Sequence, residues 1–263
     1  MMRRSVFRLA AVAVLTLVLS ACASNRVTDP YELSGRVHSA ITTVDRASVD
    51  WWMPRHRQVL EQIDKKPVDL ILLGDSITHG WEKSGKAVWD QYYASRNAVN
   101  MGFGGDRTQH VLWRLANGEI DGINPRLAIL MIGTNNSNKQ DNSAEEIADG
   151  IKSICAAVRN RLPDTKILIL AIFPRGDAVQ RKDKTQNTGF NAQWAKNNEA
   201  SRLAAQIADS EMIHYLDINA VFLDENGVLT RDIMPDLLHP GENGYQLWAE
   251  AMEPTVKKLM GEK

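Results

Sequence analysis

Three residues of this chain have the types and spacing suited to hydrolysing an ester through a serine nucleophile. Ser76 follows the apolar run 70–73 and a glycine, at the end of a predicted strand. Asp236 and His239 lie close together near the C-terminus, so one turn can direct both side chains toward the same cleft. Serine needs a base to take its proton, histidine titrates near neutral pH, and a carboxylate fixes the tautomer of the imidazole. The combination predicts a Ser76–His239–Asp236 triad.

Each of these two motifs has an alternative interpretation when it is taken alone. Glycine, aspartate and serine are ordinary turn formers. Asp236 could cap a helix that begins near Gly241, with His239 packed beside it. The Gly-x-Ser-x-Gly elbow is absent around Ser76, which argues against an α/β-hydrolase. The pairing of a serine after the first strand with a C-terminal Asp-x-x-His favours the catalytic interpretation.

Two further segments follow other predicted strands. Residues 100–108 are rich in glycine, without the spacing of a dinucleotide fingerprint. Glycine lets the backbone approach a ligand closely, so Gly105 could offer its N–H to an oxyanion. Residues 133–136 contain Asn135, whose amide is a suitable neutral donor to the same oxygen. The alternatives are a flexible turn in the first segment and an Asx turn in the second.

The elements that must position these residues alternate between strands and helices. Strand-length apolar runs occur at Asp69–Leu73, Ala98–Met101, Leu127–Ile132, Ile167–Ile172 and Ile213–Leu216. Most are apolar on both faces, as parallel strands covered by helices must be. Helices are predicted over 143–161, where Ser143 and Glu146 form a capping box, and over 187–208 and 241–260. We expect one three-layer α/β/α domain with a parallel sheet of about five strands and ligands at the strands' carboxyl ends.

The four segments, in this order, resemble the SGNH (GDSL) hydrolase superfamily. The resemblance implies a flavodoxin-like sheet and an enzyme without a metal or cofactor. It implies that Ser76 is the nucleophile and the first oxyanion donor, with the Gly105 N–H and the Asn135 amide as the other donors. Asp236 and His239 would complete the triad.

Within the superfamily, the chain is most similar to the type Ib platelet-activating factor acetylhydrolase catalytic subunits. The shared stretches are 104–106, 110–115, 117–119, 133–136 and 174–176. The resemblance spans roughly residues 50–260 and implies a homodimer. It also implies that Ile77, Thr134 and Leu238 crowd the acyl group, which suits a short acyl chain.

Two departures from those subunits limit the inference. The acetylhydrolase subunits are cytosolic, whereas this chain carries an export-type N-terminus. A phospholipid mediator is therefore an unexpected natural substrate. Arg107 stands where the subunits usually have a small polar residue. It could contact the substrate, or it could pair with an acid such as Asp106 at the surface.

The N-terminus has the layout of a bacterial export signal. Three arginines precede the apolar run 9–19, which is too short to span a membrane. Residues 19–22 resemble a lipobox, which implies acylation of Cys22 and an outer-membrane lipoprotein facing the periplasm. Cleavage after Ala23, giving a soluble periplasmic protein, is the alternative. We therefore expect a signal peptide over 1–21, a tether over 22–48 and the hydrolase domain over 49–263.

Charge and cysteine content exclude several classes of function. The chain has 31 basic and 32 acidic residues, and loss of residues 1–21 removes three arginines and leaves a net charge of about −4. Such a surface does not favour nucleic acid. Cys155 is expected to be a buried, inert thiol. His79 and His110 lack metal-ligand spacing and are expected at the surface or in loops.

These features together predict a serine esterase that removes a short acyl group, most simply acetyl, from a small-molecule or saccharide ester. A lysophospholipase or a broad arylesterase is the enzymatic alternative. A non-catalytic envelope-binding protein is the alternative from another class. The tryptophans near the first motif could stack on sugars or serve as core residues: Trp51, Trp52, Trp81 and Trp89.

Overall fold

A five-stranded parallel sheet in the order β2-β1-β3-β4-β5 forms the middle layer. The computed structural model describes residues 33–138 and 141–263. The strands are β1 Leu70–Gly74, β2 Ala98–Gly102, β3 Leu127–Met131, β4 Lys166–Leu170 and β5 Ile213–Leu216. This is the flavodoxin-like order of doubly wound sheets, in which ligands bind where the order reverses, beside β1. The predicted α/β fold with a five-stranded parallel sheet is confirmed.

Helices cover both faces of the sheet. They are α1 Trp52–Lys65, α2 Ser76–His79, α3 Lys86–Tyr92, α4 Thr108–Arg114, α5 Ala144–Arg161, α6 Ala192–Ala204 and α7 Glu242–Met260. The predicted capping box of α5 is present, because Ser143 and Glu146 each accept a hydrogen bond from the other's backbone N–H. Helix α6 is shorter than predicted, since Asn191 caps it by accepting from two backbone N–H groups.

Alternating strand residues enter two separate cores. In β1, Ile71 and Leu73 pack in a core formed with α1, α4, α5 and α6. Leu70 and Leu72 point to the other face, into a core formed with α3 and α7. Burial of apolar residues on both faces explains why the strands are continuous hydrophobic runs.

The described part of the predicted tether is packed on the domain. Ala40 is fully buried, and its carbonyl accepts a hydrogen bond from Thr108 Oγ1 at 2.7 Å. The backbone N–H of Ser34 donates to Asp149 Oδ2 at 2.9 Å. Residues 34–48, expected as part of a tether, are therefore attached to the domain as an arm. Polar sequence without periodicity did not reveal these contacts, because single backbone and side-chain groups make them.

The predicted signal peptide and Cys22 lie outside the described residues. Within 33–138 and 141–263, no helix is long and apolar enough to cross a membrane.

Candidate active site

Ser76, His239 and Asp236 form a continuous chain of hydrogen bonds. Ser76 is the first residue of α2, and Asp75, the single residue between β1 and this helix, caps it by accepting from the Ile77 N–H at 2.9 Å. Ser76 Oγ lies 2.8 Å from His239 Nε2. His239 Nδ1 lies 2.9 Å from Asp236 Oδ2. The structure thus brings together the three residues predicted as a triad, in the geometry of a hydroxyl activated by a histidine–carboxylate pair.

The turn before α7 holds the acid and the base in register. Asp236 Oδ1 accepts hydrogen bonds from the backbone N–H groups of Leu238 at 3.1 Å and His239 at 2.8 Å. Leu237 adopts a left-handed conformation with φ of 55°. The N-cap of α7 is Gly241, without a side-chain cap. Asp236 therefore orders its own turn and does not cap the following helix.

Two of the predicted oxyanion donors, Gly105 and Asn135, lie at the loop that follows β2. Gly105 has φ of 75°, a conformation that favours glycine, and it is exposed. Among the described residues, no acceptor engages its backbone N–H. Asn135 Nδ2 donates to the Asp106 carbonyl at 2.9 Å. A side-chain amide carries two hydrogens, so Asn135 retains one for a further acceptor.

A cavity of about 710 Å³ opens beside the nucleophile. Its walls are formed by Trp51, Pro54, Arg55, Gln58, Ser76, His79, Gly80, Lys83, Ser84, Gly104, His239, Pro240 and Tyr245. Trp51 is 41% exposed and offers an aromatic surface, while Gln58, Lys83 and Ser84 provide a polar rim. The cavity therefore places a mixed apolar and polar surface next to the reactive hydroxyl.

Residues 72–247 match the GDSL-like lipase/acylhydrolase family. The chain is 33% identical over 215 residues to the platelet-activating factor acetylhydrolase IB subunit alpha2 of Rattus norvegicus, covering 81% of this chain and 86% of the relative.

The chain belongs to the GDSL-like lipase/acylhydrolase family.

Solved structures of GDSL-type hydrolases share the fold. A GDSL-like lipase from Bacteroides thetaiotaomicron superposes with a TM-score of 0.57 at 18% identity, covering 77% of this chain and 96% of that chain. A mutant of an acetyl-xylooligosaccharide esterase from Geobacillus Stearmophilus gives a TM-score of 0.54 at 17% identity, covering 76% and 97%. Membership of the GDSL family makes this protein a serine ester hydrolase.

Arg181 contacts the acid of this GDSL site, and sequence reasoning missed it. Its Nη2 donates to Asp236 Oδ2 at 2.8 Å, and its Nε donates to the Asp236 carbonyl at 3.1 Å. Burial alone would raise the pKa of Asp236, but the hydrogen bonds from His239 and Arg181 outweigh it. The pKa of Asp236 therefore lies well below its usual range, and the carboxylate stays ionised beside the base.

The three side chains predicted to crowd the acyl group do not line the cavity described above. Ile77 and Leu238 are buried in the core shared with α3 and α7. Thr134 is 1% exposed and accepts hydrogen bonds from Arg175 through both its hydroxyl and its carbonyl. These three side chains are buried beside the site.

The tryptophans and histidines near the first motif divide between core and site. Trp52 and Trp81 are fully buried, and Trp89 packs against the core, so only Trp51 of the four lines the cavity. His79, the partly exposed last residue of α2, also lines the cavity. Burial and the nearby Arg55 lower the pKa of His79 to about 4. His79 is therefore neutral at physiological pH.

Two other residues singled out in the sequence are Arg107 and Cys155. Arg107 pairs with an acid, as one of its two predicted roles required, but the acid is Asp141, at 2.6 Å, and not Asp106. Cys155 is fully buried, as predicted, and burial raises the pKa of its thiol. In the described residues, no group of three or more His, Cys, Asp or Glu side chains is arranged around a common metal position.

Proposed function

We propose that this hydrolase removes a short acyl group, acetyl in the simplest case, from an oxygen ester of a saccharide. The observation that carries the proposal is the hydrogen-bonded Ser76–His239–Asp236 chain, which opens into a cavity with an exposed tryptophan on its wall. The hydrogen bonds support the proposed ester hydrolysis, and the cavity supports the proposed saccharide leaving group.

In the proposed reaction, His239 Nε2 takes the proton of Ser76 Oγ as the oxygen attacks the ester carbonyl. Asp236 holds the ring so that Nδ1 keeps its hydrogen and the imidazolium is stabilised. The tetrahedral intermediate collapses, and His239 protonates the departing alcohol. A water then loses a proton to His239 and attacks the acyl-enzyme, which releases the carboxylic acid and returns the proton to Ser76.

Three donors are proposed for the oxyanion of the tetrahedral intermediate. Ser76 begins α2, so its backbone N–H has no acceptor within the helix. The N–H of Gly105 and the second hydrogen of the Asn135 amide supply the other two. Donors fixed in advance at the position where charge develops lower the barrier without reorganisation during the reaction.

The proposed acyl length follows from the space around Ser76. Ile77, Thr134 and Leu238 fill the interior beside the site and are 1%, 1% and 5% exposed. The large cavity lies on the side of Trp51 and is open to solvent. We therefore assign the cavity to the leaving group and only a small space to the acyl group.

A saccharide fits the cavity because it combines hydroxyl groups with apolar ring faces. The exposed face of Trp51 can stack on a sugar ring, and Gln58 and Ser84 can donate to and accept from hydroxyls. An acetyl-xylooligosaccharide esterase and a carbohydrate acetylesterase family member are among the proteins that share the fold. That likeness concerns the fold, and the proposal rests on the cavity.

An acetylated glycerophospholipid is a second candidate substrate. Relatives that share about one third of their aligned residues with this chain are named platelet-activating factor acetylhydrolase subunits. The apolar wall formed by Trp51 and Pro54 also suits an alkyl chain.

For the chain's location, we propose an envelope lipoprotein acylated at Cys22, which mass spectrometry of the N-terminal peptide tests directly.

The proposed specificity is tested with two assays on purified protein. The first compares acetyl, butyryl and octanoyl nitrophenyl esters, and we expect kcat/KM to fall as the acyl chain lengthens. The second measures acetate release from acetylated polysaccharides and from acetylated phospholipids at matched ester concentration. A preference for the octanoyl ester would exclude the proposed acetylesterase activity. Acetate release from phospholipids but not from polysaccharides would favour the acetylated glycerophospholipid as the substrate and contradict the saccharide.

A further inference from the structure

We infer that Arg46, in the N-terminal arm, is a positioning residue that orients the Gly105 N–H toward the oxyanion. The inference rests on the proposed function, because it concerns the same oxyanion site. Arg46 lies outside the residues 72–247 that match the family, so it is a contribution of this chain's arm to the reaction.

The Arg46 guanidinium contacts three consecutive residues of the loop after β2. Its Nη1 donates to the Gly104 carbonyl at 2.6 Å and to Asp106 Oδ1 at 3.1 Å. It also lies against Gly105, where an added Cβ would be 3.2 Å from Nη2. The side chain is 22% exposed, so this is a partly buried contact adjoining the site.

Planarity of the peptide bond connects this contact to the oxyanion. The carbonyl of Gly104 and the N–H of Gly105 belong to one peptide group and point in opposite directions across its plane. A donor that fixes the Gly104 oxygen therefore fixes the direction of the Gly105 N–H. A cation on the oxygen also polarises the peptide group, which makes the N–H a stronger donor.

Nothing else among the described residues holds the Gly104 carbonyl. Arg46 is its only hydrogen-bond donor there. The Asn135 amide binds the next carbonyl along, that of Asp106. Gly105 has a left-handed conformation and glycine's freedom to rotate, so this peptide needs an external constraint. Arg46 supplies that constraint.

The arm is anchored on both sides of Arg46. Before it, the buried Ala40 is held through its carbonyl by Thr108 Oγ1. After it, the Val49 N–H donates to the Arg46 carbonyl at 2.8 Å, and the Trp52 N–H donates to the Val49 carbonyl at 2.9 Å as α1 begins. The backbone of residue 46 is thus held in place, and the guanidinium reaches the loop from a fixed point.

A purely structural role for Arg46, through the charge of Asp106, is disfavoured by the other partners of that carboxylate. Asp106 Oδ1 accepts from Trp52 Nε1 at 2.7 Å, and Oδ2 accepts from Arg114 Nε at 2.9 Å. Both oxygens therefore keep a donor when Arg46 is removed. Loss of Arg46 should change the orientation of one peptide more than it changes the stability of the domain.

The test compares the full chain with Arg46→Ala, Arg46→Lys and the control Arg36→Ala, which removes an exposed arginine of the same arm. With nitrophenyl acetate, we expect Arg46→Ala to lower kcat by about ten- to a hundredfold, because a misplaced catalytic donor stabilises the transition state less well. KM should change by less than threefold in either direction. Arg46→Lys keeps a charged donor and should recover part of the loss. Guanidinium ion added to Arg46→Ala should also restore activity in a saturable manner. Arg36→Ala should match wild type.

Thermal melting separates positioning from stability. A kcat for Arg46→Ala within twofold of wild type would overturn the inference. A loss of activity matched by a large fall in melting temperature, without recovery in Arg46→Lys or with guanidinium, would overturn it as well. Wild-type protein that hydrolyses no ester would instead refute the proposed function, whereas an active wild type with an unaffected Arg46→Ala would refute only the role of Arg46.

Discussion

One carboxylate oxygen of Asp236 accepts hydrogen bonds from both His239 and Arg181. His239 Nδ1 is 2.9 Å from Asp236 Oδ2, and Arg181 Nη2 is 2.8 Å from the same atom. The cation therefore shares the negative charge that would otherwise stabilise a protonated imidazole. This arrangement secures the position of the carboxylate through two donors to one oxygen.

The Arg181→Gln variant should move the acid limb of the kcat/KM profile to higher pH. Without the guanidinium, the charge of Asp236 acts on His239 alone and favours the protonated ring, which cannot accept the Ser76 proton. The measurement is kcat/KM for nitrophenyl acetate from pH 5 to 9. Arg202→Gln, which breaks an exposed pair with Glu199, is the control. An acid limb that stays in place or moves to lower pH would contradict this account.

The Asn135→Ala variant should lose turnover and keep its fold. Removal of one oxyanion donor typically lowers kcat by about 10²–10³. The lost hydrogen bond to the Asp106 carbonyl should cost only about 1 kcal/mol of stability. Activity and urea unfolding are measured together, with Asn117→Ala as the control, because Asn117 also donates to a backbone carbonyl but is exposed. Equal activity in the two variants would rule out Asn135 as an oxyanion donor.

The Trp51→Ala variant should discriminate between leaving groups. Removing the aromatic wall should raise KM for an acetylated oligosaccharide about tenfold, since an aromatic stacking contact contributes about 0.5–1.5 kcal/mol beyond its buried area. The kcat/KM for nitrophenyl acetate should change less than threefold. Trp51→Phe should retain most of the affinity, and Phe190→Ala, at a side chain 64% exposed, serves as the control. An unchanged KM for the oligosaccharide would remove Trp51 from the proposed leaving-group site.

The stability of the domain should depend on pH through Asp75. Burial raises the pKa of Asp75 to about 7, and its Oδ2 has no hydrogen-bond partner in the described residues. The folded state then binds a proton that the unfolded state releases, so the contribution of Asp75 is full below about pH 4 and is lost as pH rises toward 7. Urea unfolding at pH 5 and pH 8 should show a smaller decline in Asp75→Asn than in wild type. The exposed Asp64→Asn should follow wild type. A decline as steep in Asp75→Asn as in wild type would show that Asp75 is ionised in the folded protein at both pH values.

The fold and the triad could be predicted because their signals are local. Each strand is a short apolar run, and Ser76, Asn135 and the Asp236–His239 pair lie at or near the ends of elements. The side of the sheet that each motif reaches follows from the parallel arrangement, since strand ends of one polarity share one edge. Catalytic residues at that edge can therefore be recognised in the sequence by their position after apolar runs.

The supporting residues could not be predicted, because their contacts are distant in sequence. Arg46 reaches Asp106 across 60 positions, and Arg181 reaches Asp236 across 55. Arginine is a common surface residue, and neither one belongs to a motif or an apolar periodicity.

The Ser76→Ala variant gives the most direct test of the central claim. Its kcat/KM for nitrophenyl acetate is measured beside wild type and Ser84→Ala, which alters an exposed serine on the rim of the same cavity. The account predicts a loss of at least about 10³-fold in Ser76→Ala with an unchanged melting temperature, and activity near wild type in Ser84→Ala. A folded Ser76→Ala protein that keeps activity within tenfold of wild type would contradict it.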